Sequence, residues 1–172
     1  MSFLARLFGR RDGRAAYRPL YAAVVARARD PFWYRHGRVP DSIDGRFDMV
    51  AAILALVLLR IEAEGEGARE AGPRLTEVFV EDMDGQIRQF GFGDIVVGKH
   101  IGGIMGALGG RLTAYRAALK GDRPMTEAVS RNIYRDSPPE EETVRLVADR
   151  LIAFATALGA TPFSAVMAGD LP

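Results

Sequence analysis

The stretch LTEVFVEDMDGQIRQF, residues 75–90, decides the fold. At helical spacing Leu75, Phe79, Met83, Ile87 and Phe90 fall on one stripe, and Glu77, Glu81, Asp84 and Arg88 fall elsewhere. Strict alternation fits the whole less well, and only residues 76–80 also read as a strand. The choice matters because of what comes next. In FGFGDIVVGKH, residues 90–100, Gly93, Gly98 and Lys99 form G-x-x-x-x-G-K, one residue short of a phosphate-binding loop. Such a loop follows a strand, opens a helix with a nest of backbone N–H groups, and places Ser or Thr after the lysine to meet Mg²⁺. Here a helix precedes it, His100 follows the lysine, and Asp94 brings a negative charge into the cradle. The stretch therefore reads as a hinge between helices, with Gly91 and Gly93 ending the first and Asp94 capping the turn into the second. Lys99 is left to pair with Asp94 or Asp84, or to meet a partner.

Outward from this hinge the chain reads as helix on both sides. Residues 15–28 carry Tyr17, Leu20, Tyr21, Val24 and Val25 at helical spacing, and Asp30-Pro31 ends them. A connection rich in turn residues follows, with Asp44 as cap for a helix over residues 45–64. The run MVAAILALVLL, residues 49–59, is about half of the roughly 20 residues that a bilayer-spanning helix needs, so it reads as a buried core helix. EGEGAREAGP closes that helix as a flexible linker. Beyond the hinge, a helix over residues 97–119 is expected to bury Ile101, Ile104 or Met105, Leu108, Leu112, Tyr115 and Leu119. Gly102, Gly106, Gly109 and Gly110 strip another part of it, and their cost in backbone entropy calls for close approach of a neighbouring helix, within the chain before a partner. A short helix over 125–135 and a last one through 158, opened by Glu140, Glu141 and Glu142, complete the pattern. The expected architecture is all-α: a single compact domain of about six helices over residues 14–158, preceded by a basic amphipathic arm, 1–13, and followed by an irregular tail, 159–172.

Composition removes several chemistries. The 172 residues include no Cys, which excludes disulfides, thiol nucleophiles and thiolate metal sites, and only two His, which makes a His-based metal or acid/base centre hard to assemble. Asp41, Asp44 and Asp48 do not have the spacing of a calcium loop and read as caps and partners of Arg46. No G-x-S-x-G elbow occurs. No catalytic residue, metal or cofactor is expected, and the chain does not read as an enzyme.

The net charge of +1 hides an uneven distribution: nine Arg lie in residues 1–40, and eight acids lie in residues 62–84. A basic end suits anionic lipid, RNA or an acidic protein face, or simply solvent. In the arm, Phe3, Leu4, Leu7 and Phe8 share one side of a short helix near Arg6, Arg10 and Arg11, enough for weak and reversible contact with an anionic membrane surface. Phe32, Trp33 and Tyr34 stand beside Arg35 and His36, a mixture that concentrates binding energy at interfaces even when part of it enters the core. No RNA-binding or helix-turn-helix signature accompanies it, so specific DNA binding is not expected.

Three stretches carry a resemblance. VPDSIDGRFDM (39–49), EDMDGQIRQFGFGDIVVGKHI (81–101) and GRLTAY (110–115) resemble the ubiquinol-cytochrome c chaperone family over about residues 17–119. The resemblance implies a non-catalytic assembly chaperone that binds nascent or unassembled cytochrome b and assists assembly of the cytochrome bc1 complex, complex III. It also implies the ribosome near its exit tunnel and a small partner protein as further partners. The implied location is the bacterial cytoplasm at the inner face of the cytoplasmic membrane, or the matrix side of the inner membrane in a mitochondrion; a short N-terminus favours the former. Carried over, Asp41, Asp44, Gly45, Arg46, Phe47, Asp84, Gly91, Gly93, Asp94, Gly98, Lys99, Arg111 and Tyr115 form the shared surface and scaffold. With Phe32, Trp33 and Tyr34 they supply the candidate partner-binding residues. Gln89, where the family often has Glu, and ALGG at 107–110, in place of A-F-Y-G, are departures.

Two other readings stay open. A nucleic-acid or ribosome-binding accessory protein without a chaperone role needs the N-terminal arginines, Trp33 and Lys99 on one face. A small-molecule-binding enzyme needs a deep polar pocket lined by Asp41, Asp44, Arg46, Asp94 and Lys99. An exposed apolar groove favours the chaperone.

Overall fold

In the computed structural model, residues 13–89, 94–135 and 137–172 are described. Residues 1–12 of the arm, Phe90 and the hinge glycines Gly91 and Gly93 lie outside them, as do the side chains of Ile87 and Asp94.

The longest apolar run becomes the axis of the fold. Helix α3, Ile43–Ala63, is buried without a break from Asp48 to Leu58, because a helix that is apolar all round needs neighbours on every side. Those neighbours are α1 (Arg18–Ala28), α4 (Ala71–Gln89), α5 (Asp94–Leu119) and α7 (Glu141–Ala160). Helix α6, Met125–Asn132, bridges α5 and α7. Its end falls short of residue 135, since Arg135 takes a left-handed backbone at φ +51°.

Residues 76–80 are helical, inside α4, where Leu75, Val78, Phe79 and Met83 face the core. No strand occurs among the described residues. Helix α5 starts at Asp94, three residues earlier than expected. It buries Leu108 and Tyr115, while Ile101, Ile104 and Leu112 are half-buried. Of the pair Ile104 or Met105 it is Ile104 that packs on the core, while Met105, 39% exposed, opens onto a groove between α4 and α5; Leu119, 40% exposed in the last turn, is corrected from the core.

The glycines divide differently from the expectation. A Cβ added at Gly102, Gly103, Gly106, Gly109 or Gly110 would meet nothing within 4 Å, so none of these glycines is required by the close approach of another described helix. Close approach occurs elsewhere. A Cβ on Gly45 would lie 1.9 Å from the Pro40 carbonyl oxygen, and one on Gly37 2.6 Å from that of Trp33.

Four local corrections follow from capping and burial. Ser42, not Asp44, caps α3, its hydroxyl accepting from the Gly45 N–H at 3.1 Å. Asp30 accepts from the Phe32 N–H at 2.9 Å and starts a short helix, α2 (Pro31–Arg35), inside the stretch expected to be a connection. The tail is not irregular: α8, Phe163–Ala168, packs on α1, buries Val166 and ends at Gly169, φ +94°. Arg27 holds the chain beyond it by donating to the Leu171 carbonyl at 3.1 Å. The linker after α3 is also tied down, by a 3₁₀ turn at Glu66–Ala68 and the buried Ala68 and Ala71. Among the described residues no helix is long and apolar enough to cross a membrane.

Candidate functional site

An open groove of about 600 Å³ lies along the first two turns of α3. Val25 from α1, Phe47 and Val50 from α3, Met83 from α4 and Ile104 from α5 give it an apolar lining. Ile43, 66% exposed, stands at its edge. Arg29, Asp44, Arg46, Asp82 and Arg135 supply charge around it. Phe47 is fixed from behind by the Phe79 ring, 6.3 Å away and tilted by 27°. Asp82 accepts from the Tyr21 hydroxyl at 2.7 Å and from the Gln86 amide at 3.0 Å, and burial together with this carboxylate pushes the Tyr21 phenol pKa above its usual value.

Beneath the groove lies a buried ionic network. The Arg111 guanidinium, on α5, donates to Asp48 at 2.5 Å, to the Asn132 carbonyl at 2.6 Å and to the Ala107 carbonyl at 3.2 Å. Its planar head sits 5.8 Å from the Phe47 ring centroid, a cation–π contact. Arg135 donates to the second oxygen of Asp48 at 2.8 Å and to Asp44 at 3.2 Å. One buried carboxylate thus joins α3, α5 and the turn after α6, and holds Arg135 in the groove wall. Two buried polar groups here, the Arg111 Nε and the Tyr115 hydroxyl, have no hydrogen-bond partner among the described residues, and burial raises the Tyr115 phenol pKa.

A second, smaller concavity of about 400 Å³ adjoins the groove, lined by Arg29, Pro31, Tyr34, Arg35, Asp41 and Arg46. Arg46 donates to Asp41 at 2.7 Å, and this hydrogen bond holds the Asp41 carboxyl below its ordinary range. No group of three or more His, Asp or Glu among the described residues is placed to hold a metal ion.

The ubiquinol-cytochrome c chaperone family model matches residues 35–171 of this sequence. The chain belongs to that family. The crystal structure of the Cbp3 homolog from Brucella abortus is similar to it with a TM-score of 0.78 and 27% identity, over 98% of this chain and 95% of that one. No curated protein matches the sequence. The family match extends well past residue 119, where the resemblance in the sequence stops, and takes in α6, α7 and α8.

Within this family member the expected site residues separate into groups. Asp44, Arg46 and Phe47 meet in the groove, and Asp41 and Tyr34 in the adjoining concavity. Arg111 and Tyr115 are interior, so they support the groove and do not line it. Trp33, 1% exposed, is a core residue whose indole N–H donates to the Arg27 carbonyl at 2.9 Å; it has no face left for a base to stack on. Phe32 is half-buried against Trp33, and the Arg150 guanidinium lies 4.7 Å above its ring. Asp84 pairs with Arg88 at 2.7 Å, and the exposed Lys99 lines neither concavity. Arg46 pairs with Asp41 as expected, whereas Asp44 is bonded to Arg135 and Asp48 to Arg111 and Arg135. Sequence reasoning missed Asp48 and Arg135 as groove supports and Ile43, Val25, Met83 and Ile104 as lining. Asp48 inside an apolar helical face was the available signal, because a carboxylate there requires a cationic partner.

Proposed function

We propose that this chain is a non-catalytic chaperone that holds newly made cytochrome b in the groove around Phe47 until it is assembled into complex III. The observation that carries this reading is that the VPDSIDGRFDM stretch, which carries the resemblance and lies within the family match, builds part of an open apolar lining edged by charge. Such a surface shields an apolar client segment, while the surrounding charges set its register. An open groove rather than a closed cavity suits a protein client that must later be handed on. The proposed location is the inner face of the cytoplasmic membrane, where a client of this kind is inserted. The ribosome near its exit tunnel, a small partner protein and the anionic membrane surface remain proposed further contacts of the same complex.

Photocrosslinking from position 43 in cells, with the captured protein identified, tests this. Capture of cytochrome b, and loss of assembled complex III on deletion of the chain, are expected. Normal complex III in the deletion strain, with no cytochrome b captured, refutes it.

A further inference from the structure

Two arginines beside the groove have no partner within the described chain. Helix α2 turns back from α1 at Asp30 and brings Arg29 and Arg35 to the same small concavity. Its one carboxylate, Asp41, is already bonded to Arg46 at 2.7 Å. Asp30 faces away to Arg150 at 3.6 Å and caps α2, and the Tyr34 hydroxyl is occupied by the Ala28 carbonyl at 3.0 Å. Neither Arg29 nor Arg35 makes an ion pair with any described residue, so among the described residues the concavity keeps two uncompensated positive charges. Arg29 and Arg46 line both concavities, which makes the basic one a continuation of the apolar groove.

A site with an apolar floor and a cationic end is complementary to a ligand that is apolar with an anionic end. Guanidinium groups bind a carboxylate with paired hydrogen bonds, more strongly than neutral donors do. We infer that the segment held in the groove is an apolar stretch of polypeptide bearing an Asp or Glu at one end, whose carboxylate is received by Arg29 and Arg35. This rests on the reading of the groove as the client site and adds a direction to it: with the charge at one end only, the client lies one way round.

Fluorescent apolar helical peptides of about 20 residues, each with a single Glu, Gln or Lys near one end, test this against the full chain by anisotropy. The Glu peptide should bind roughly five- to ten-fold more tightly than the Gln peptide, with Lys weakest, and the difference should shrink as salt rises. R29E/R35E should invert the order in favour of Lys with an unchanged circular dichroism spectrum. Equal binding of all three peptides, lost in I43E, overturns the carboxylate and leaves the groove standing. Binding of none, or binding indifferent to I43E, overturns the groove reading and this inference together. If R29E/R35E instead loses phosphatidylglycerol vesicles while the peptide order is unchanged, the arginines serve the membrane and the inference is overturned.

Discussion

Replacing Asp48 by Asn should destabilise the fold by about 3 kcal/mol, near the lower end of what breaking a buried ion pair costs. The magnitude follows from who loses a partner. Asp48 and Arg111 have side chains only 3% and 5% exposed, so the Arg111 charge, stripped of its counter-ion, stays in the interior with two backbone carbonyls for company. Arg135 is 53% exposed and can turn to water at little cost. An Asn oxygen still accepts one hydrogen bond, which keeps the loss below that of Asp48→Ala. For a chain of this size the change corresponds to a fall in Tm of roughly 6–12 °C. Urea denaturation followed by circular dichroism reads it as a lower midpoint at constant slope. The companion variant D48L/R111M removes both charges and should lie within about 1 kcal/mol of the parent, because the desolvation of both ions is avoided. A D48N protein within about 0.5 kcal/mol of the parent, or a double variant as unstable as the sum of the singles, would refute this account of the network.

Gly45→Ala should cost about 1–3 kcal/mol, since the new Cβ would be driven into the Pro40 carbonyl, whereas Gly106→Ala, in open space on a helix, should gain about 0.5–1 kcal/mol; urea midpoints compare the two. Ile43→Glu should abolish client capture while changing stability by less than about 0.5 kcal/mol, because the side chain is 66% exposed; co-purification and thermal melts separate these effects. At alkaline pH, burial raises the Tyr134 phenol to about 12, and the Tyr21 and Tyr115 phenols move the same way. The folded state then keeps protons that the unfolded chain loses, so their contribution is complete below about pH 10 and falls as pH rises toward 12, by up to ~1.4 kcal/mol per pH unit for each tyrosine. The phenolate absorbance of these three tyrosines should therefore appear together with loss of helical dichroism, and ionisation of all five tyrosines in an intact helical protein would contradict the assignment.

Helical periodicity was legible where one stripe meets one neighbour, as in Leu75, Phe79 and Met83 of α4 and Val144, Val147, Leu151 and Phe154 of α7. The unbroken run in α3 announced a helix surrounded on all sides. What stayed hidden depends on chain segments far apart. Nothing in the letters distinguishes Gly45 from Gly106; the difference is where Pro40 turns back in one case and the absence of any neighbour within 4 Å in the other. Asp48 meets Arg111 across 63 residues and Arg135 across 87, distances over which spacing carries no signal. Helix α8, with six residues, is too short to hold itself together and exists because it packs on α1, so its local sequence reads as tail.

These long-range partners explain why the recognisable residues crowd into one stretch. At about 100° per residue, the first two turns of α3 present every face within seven positions. Ile43, Phe47 and Val50 share the face that lines the groove; Asp44 and Asp48, one turn apart, share the face that meets Arg135; Gly45 alone points at the returning chain at Pro40. No position in those turns is spare, so a substitution anywhere in them has an effect, but the kind of effect depends on the face. Changes at Asp48 or Gly45 act through folding and should lower stability and binding together, and changes at Ile43 should lower binding alone. Arg46 stands between the two, its side chain exposed and, among the described residues, bonded only to Asp41, so Arg46→Ala should leave the fold intact while weakening whatever the groove and its basic end hold in common.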